Sequence, residues 1–297
     1  MAKAIVHIGF NKCGSSAIQT WLAENSGALA AQGIGYTKTD PRPRPHCTNP
    51  QFLVLAHSEA GVTMRPRPNA QMLGVVAGDR VSQDRVARAF EGDYVAWLKD
   101  TSHHTYVISS EHLGIGPESP GVAAALDQWT RRTIGPTGFV AYLRRPAAWI
   151  VSAFGHRMRK KLDDLSLDDF ALRVSPIPML SALRTWVKAV GSDRLDLRLF
   201  DEDWLHSDGL IPDFAQVVGA DRSALAKGSQ RINTSFRETA FPLGGLFRAR
   251  PKRPRISPAV LDRVHAANAE GLDWVQRTFF PAQEARFRSW LHSETYA

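Results

Sequence analysis

The sequence predicts an α/β protein in which a mainly parallel central sheet lies between two layers of helices. The main evidence is three short runs rich in apolar and β-branched residues, at 4–8, 105–110 and 137–143. Each run leads into a turn and then into a stretch whose apolar residues recur with helical spacing. Strands that alternate with helices are typical of a parallel sheet. We expect a single domain over residues 1–297.

Weaker patterns predict the remaining elements. Prolines at 41, 43 and 45 are incompatible with helix and regular sheet in residues 40–45, and residues 61–81 also look irregular. Helical spacing or strand alternation predicts a first helix through Ile18, Trp21 and Leu22, a short strand at 32–36, helices at 82–99, 121–133 and 166–190, a strand at 194–200 and a helix through 211–218. In the tail we expect a helix near 235–247, a basic loop at 248–255 and further helices to Trp290.

Composition restricts the class of protein. The 297 residues are 43% hydrophobic and 22% charged, as in ordinary globular proteins. The formal charge of +8 suits an anionic ligand, and it would also suit nucleic acid or an anionic surface. We expect no signal peptide, because no charged segment followed by an apolar h-region opens the sequence. We expect no membrane span, because no run approaches the roughly 18 apolar residues that a span needs. Cys13 and Cys47 are too few for a disulfide framework or a zinc site, so we expect a reduced, cytoplasmic protein.

The turn after the first strand has the composition of a phosphate-binding loop. A strand, a tight glycine-containing turn and a helix together aim backbone N–H groups at an anion, and Ser15 and Ser16 can cap the helix. Gly9, Gly14 and Ser16 match the NTP-binding pattern G-x-x-x-x-G-K-[ST]. Ser15, however, occupies the lysine position of that pattern, and the lysine is Lys12. An incidental lysine in an ordinary turn is the alternative.

A lysine two residues before the glycine, with hydroxyl residues after it, resembles the 5′-phosphosulfate loop of sulfotransferases that use 3′-phosphoadenosine 5′-phosphosulfate (PAPS). The resemblance implies a P-loop NTPase-like sulfotransferase fold. It also implies that Lys12 is catalytic. The residues that it implies for nucleotide binding are Lys12, Cys13, Gly14, Ser15, Ser16 and Ala17.

The third strand ends in a second motif. Arg144 and Arg145 precede Pro146, which suits the first turn of a helix, and Ser152 follows Arg144 by eight residues. This spacing resembles the 3′-phosphate motif of PAPS sulfotransferases, and the resemblance implies that Arg144 and Ser152 hold the 3′-phosphate. An arginine fork is suited to phosphate. The alternative is a helix-initiating proline beside solvated arginines.

Glu111 and His112 follow the second strand, where ligands gather in open parallel sheets. Glu111 is the preferred base for the acceptor's proton, with His112 and His46 as alternatives. A late basic loop at 227–235 resembles the loop that closes over the nucleotide in many sulfotransferases. Because the usual G-x-x-G-x-x-K form is missing, Arg231 and Asn233 are only candidate nucleotide contacts.

The resemblance implies transfer of the sulfuryl group from PAPS to an acceptor hydroxyl of a carbohydrate, a lipid or another small metabolite, giving PAP and a sulfate ester. No metal is expected, because the family needs none and no carboxylate cluster has metal-site spacing. One alternative is a P-loop kinase using ATP and magnesium. The other is a basic nucleic-acid-binding protein, although its arginine- and proline-rich loops hold few aromatic residues for stacking.

Overall fold

The computed structural model describes residues 2–37, 48–160, 164–206, 208–225 and 255–292. Several predictions fall outside these ranges. They are those for His46 and Cys47, for Arg231 and Asn233, and for a helix beginning near residue 235.

Five parallel strands form one sheet in the spatial order β2-β3-β1-β4-β5. The central strand pairs on both sides, with Ile8 of β1 opposite Ser110 of β3 and Ala141 of β4. Since all the strands are parallel, their carboxyl ends lie along one edge. The strands are β1 (Lys3–Ile8), β2 (Ile34–Gly35), β3 (Thr105–Ser110), β4 (Thr137–Leu143) and β5 (Leu195–Leu199).

Helices connect and cover these strands. In chain order they are α1 (Ser15–Glu24), α2 (Ser26–Ala31), α3 (Gln51–Glu59), α4 (Pro68–Gln71), α5 (Arg80–Lys99), α6 (His112–Ile115), α7 (Pro120–Thr133), α8 (Pro146–Arg159), α9 (Leu167–Arg173), α10 (Pro178–Val190), α11 (Leu210–Val218), α12 (Pro258–Phe279) and α13 (Glu284–His292). In the part of the chain that the structure describes, none of them combines the length and the apolar character needed to cross a bilayer.

The layers follow from strand alternation. On one face of the sheet, the ring centroid of buried His7 lies 5.3 Å from that of Phe214 in α11. The Phe214 ring also contacts Trp21 of α1. On the other face, Phe139 of β4 packs 5.4 Å from Trp186 of α10. Helices therefore cover both faces, which confirms the predicted fold class.

The prediction of one helix over 166–190 is wrong. The chain forms α9 and α10 with a break between them, and Ser175–Pro176 is a cis peptide bond. Pro176 and Pro178 cannot donate the backbone hydrogen bonds that a continuous helix requires. The apolar spacing therefore predicts helix correctly on each side of the break, but it does not show where the helix is interrupted.

The described residues separate into two compact units. The first holds the sheet, with residues up to Leu143 and those from Met179 to Leu225. The second holds Arg144–Pro178 and the residues from Arg255 onward, in which Phe154 of α8 packs 5.7 Å from Phe170 of α9. The expectation of a single domain stays a prediction.

Candidate functional site

The turn between β1 and α1 is built around two left-handed residues. Lys12 has φ 62° and Gly14 has φ 85°. Glycine suits position 14 because other residues rarely adopt that φ. A Cβ there would also contact the Leu210 side chain, which would have to move. Lys12 is half-buried at the top of this turn.

The helix begins differently from the sequence prediction. Gly14 is the N-cap of α1, and no side chain caps the helix. Ser15 and Ser16 therefore do not cap it, because they already lie in its first turn. Their hydroxyl groups bond to nothing in the described ranges.

The amino end of α1 presents a set of unpaired donors. The amides of Ala17 and Ile18 donate to the Gly14 carbonyl at 2.9 and 3.1 Å. Among the residues that the structure describes, nothing accepts from the amides of Gly14, Ser15 and Ser16. Unpaired first-turn amides and the positive end of the helix dipole together favour an anion.

Cys13 anchors the turn to the interior. Its side chain is 1% exposed, and its thiol donates to the Met179 sulfur at 3.4 Å. Its amide donates to the Phe10 carbonyl at 3.3 Å. Both donors of Cys13 are thus used within the chain, so the residue contributes to the shape of the turn.

Two glycines bring the turn against the end of β3. The Gly9 amide donates to the Ser110 carbonyl at 3.0 Å, and a Cβ on Gly9 would lie 2.9 Å from the Glu111 Cα. A Cβ on Gly114 would lie 2.7 Å from the Gly9 carbonyl oxygen. Larger side chains at either position would force the two backbones apart. Glu111 therefore sits beside the start of the Lys12 turn.

Glu111 and His112 are both half-buried. Within the described ranges, no hydrogen bond or ion pair engages the Glu111 carboxylate. The His112 backbone amide donates to the Ser110 hydroxyl at 3.2 Å, and its ring Nε2 lies 3.2 Å from the Asn69 side-chain nitrogen. The carboxylate is consequently available to take a proton, whereas the imidazole is held in place.

Arg144 and Ser152 belong to the second unit. The neighbouring Arg145 is buried and donates to the Trp290 carbonyl at 3.3 Å, which gives it a structural role. Arg144 is only half-buried. Ser152 is 7% exposed, and nothing in the described part of the chain bonds to its hydroxyl. Of the two arginines, Arg144 is thus the better candidate for a ligand contact.

Below the turn, β1 carries a buried histidine that the sequence reasoning did not single out. His7 is 1% exposed, and its Nδ1 lies 2.8 Å from the Ser109 hydroxyl. Burial lowers the pKa of His7 to about 3, because the charged ring would lose its hydration. The His7 ring is therefore neutral at neutral pH.

A charged network lies further along the same face of the sheet. Asp213 of α11 is 1% exposed, and it accepts from the Tyr142 hydroxyl at 2.8 Å and from Arg198 at 2.6 Å. Burial and the neighbouring Asp213 carboxylate raise the pKa of Tyr142. Because every one of these groups is paired, we assign the network to structure.

The sequence reasoning also missed Asn69. It comes from the segment 61–81, where no periodicity predicts an element, and it contacts a residue 43 positions away. No single-sequence signal could have paired it with His112. A group of His, Cys, Asp or Glu side chains suited to a metal ion is not found among the described residues.

No protein-family model and no curated protein matches the chain. Among solved structures, the chain is similar to a sulfotransferase from Alicyclobacillus acidocaldarius, with 14% sequence identity and a TM-score of 0.48. The similarity covers 93% of this chain and 94% of that one. This TM-score is below 0.5, and the likeness assigns no function to the chain.

Proposed function

We propose that the protein is a sulfotransferase that moves the sulfuryl group of PAPS to an acceptor hydroxyl. The observation that carries the proposal is the amino end of α1. There, the Lys12 turn and the first residues of α1 offer three amides and two hydroxyls that have no partner among the described residues. This donor set fits a phosphate group, and the close contact between Gly9 and Glu111 supports a candidate base near the start of the same turn.

PAPS supplies the sulfuryl group and leaves as PAP. The acceptor oxygen forms a new bond to sulfur while the bond from sulfur to the 5′-phosphate oxygen breaks, and its electron pair stays on that oxygen. We assign Lys12 and the amides of Gly14, Ser15 and Ser16 to this developing charge, as preorganised electrostatic stabilisation. Glu111 takes the proton that the acceptor hydroxyl loses.

Arg144 and Ser152 are proposed to bind the 3′-phosphate. This assignment comes from the resemblance of the sequence motif to that of PAPS sulfotransferases. It agrees with the local structure, in which Arg145 is committed to Trp290 and Arg144 is not buried. Arg231 and Asn233 stay predictions, as do the acceptor classes and the cytoplasmic location.

The test is nucleotide selectivity followed by turnover. We expect PAP to raise the melting temperature of the protein strongly, with 5′-AMP and ATP–magnesium giving little shift. Sulfuryl transfer from labelled PAPS to a panel of sugars, phenols and long-chain alcohols should then give a labelled ester. Stabilisation by ATP–magnesium but not by PAP would favour the kinase alternative. Salt-sensitive RNA binding that PAP leaves unchanged would favour the nucleic-acid alternative.

A further inference from the structure

The contact between Asn69 and His112 fixes a chemical property of the histidine. The Asn69 Nδ2 atom lies 3.2 Å from His112 Nε2. An amide nitrogen can only donate, so the ring nitrogen opposite it must accept through a lone pair. A neutral imidazole with an unprotonated Nε2 carries its proton on Nδ1, and the hydrogen bond at one ring nitrogen sets the state of the other.

The segment that leads to Asn69 is tied down at two points. At one end, the Met64 amide donates to the Gln83 side chain at 2.9 Å, and Gln83 is fully buried. Next to Asn69, the Arg67 guanidinium donates to the Gly116 carbonyl at 3.4 Å and pairs with Glu118 at 3.3 Å. Residues 116 and 118 follow α6, the helix that begins at His112. Asn69 is thus held against α6, the helix that begins at its partner His112.

We propose that Asn69 is a positioning residue that holds His112 as the Nδ1–H tautomer and keeps its Nε2 occupied. Nε2 of His112 is then not the atom that receives the acceptor's proton. Of the three candidate bases from the sequence, this favours the Glu111 carboxylate over His112, while His46 lies outside the described residues. The catalytic part of this inference rests on the proposed function, whereas the tautomer does not.

The tautomer is measured directly by NMR on the full chain labelled with ¹⁵N-histidine. Long-range couplings between ring protons and ring nitrogens identify which nitrogen is protonated, and His112→Gln assigns the signal. We expect an unprotonated Nε2 in the wild type at mildly alkaline pH. A proton on Nε2 would overturn the inference, because the Asn69 amide would then have to be turned around.

Asn69→Asp tests the same contact by replacing the hydrogen-bond donor opposite His112 with an acceptor. A carboxylate can only accept, so His112 should change to the Nε2–H form. Gln71→Glu is the matched control, since it makes the same amide-to-carboxylate change on the same short helix at an exposed residue. The control should leave the tautomer as it is. An unchanged tautomer in Asn69→Asp would contradict the role of Asn69.

Activity provides the second readout. In Asn69→Asp we expect kcat for sulfuryl transfer to fall about tenfold, with KM for PAPS unchanged, because the ring beside Glu111 now presents the wrong hydrogen-bonding atoms. Normal kcat with a reversed tautomer would remove His112 from the reaction. A protein that transfers no sulfuryl group at all, but shows the expected tautomers, would refute the proposed function alone.

Discussion

Two helix starts that directly follow strands in the sequence offer an anion different kinds of groups. At the start of α1, Gly14 gives the backbone a left-handed turn, and the unpaired groups are mostly amides. At the start of α8, Pro146 lacks an N–H, and the candidate groups are the side chains of Arg144, just before the helix, and of Ser152, within it. Under the proposed function, the first region stabilises charge that develops during the reaction, whereas the second binds the fixed charge of the 3′-phosphate. Substitutions in the first region should therefore reduce turnover, and those in the second should reduce binding.

The largest effect is expected from Glu111→Gln, next to the first region. The amide cannot take a proton, and general-base catalysis typically contributes about a hundred- to ten-thousandfold in rate. We expect kcat to fall by about that factor while PAP binding, measured by calorimetry, stays within about twofold. If Glu111→Gln remains active and His112→Ala or His46→Ala does not, the base has been assigned to the wrong residue.

Lys12→Ala comes next and tests the first region directly. Loss of one group that stabilises transition-state charge typically costs about a hundred- to a thousandfold in rate. Single-turnover rates with labelled PAPS measure the loss, and Lys3→Ala, at an exposed residue of β1, is the control. A variant with near-normal turnover would show that Lys12 is incidental to the turn.

Arg144→Ala tests whether the second region acts through nucleotide binding alone. A charge-assisted hydrogen bond contributes roughly 1.5–3 kcal/mol, so PAP affinity should fall about ten- to a hundredfold, with 5′-AMP affinity almost unchanged. Arg159→Ala, at the exposed carboxyl end of α8, the helix that follows Arg144, should leave both affinities as they are. Calorimetric titration of both nucleotides measures this. Equal wild-type affinity for PAP and 5′-AMP would refute the cofactor assignment.

The strands that lead to the candidate site could be predicted from the sequence, while the cap of α1 and the contacts between distant segments could not. β3 and β4 lie at the predicted residues, because buried strands of a parallel sheet are short apolar runs. Gly14 as N-cap was missed, since serine is the commoner capping residue and only the backbone angles reveal the difference. No periodic pattern in the sequence predicts the pairing of Asn69 with His112, because the pairing depends on the path of an irregular segment between distant residues.

The smallest effect concerns His7, which lies on the strand that leads into the first region. Its pKa is about 3 in the folded protein because the ring is buried, against about 6.5 in the unfolded chain. The unfolded state thus binds the proton more readily, and stability that is fully present above pH 6.5 is lost progressively as the pH falls toward 3. One proton corresponds to about 1.4 kcal/mol per pH unit well within this window.

Urea unfolding of the wild type at pH 7 and pH 5, compared with His7→Asn, isolates the contribution of this one ring. Asparagine can keep a hydrogen bond to Ser109 but does not titrate, so the variant should lose less free energy of unfolding between the two pH values. Equal losses in the two proteins would mean that His7 is already protonated in the fold, and the interior beneath the Lys12 turn would then be charged.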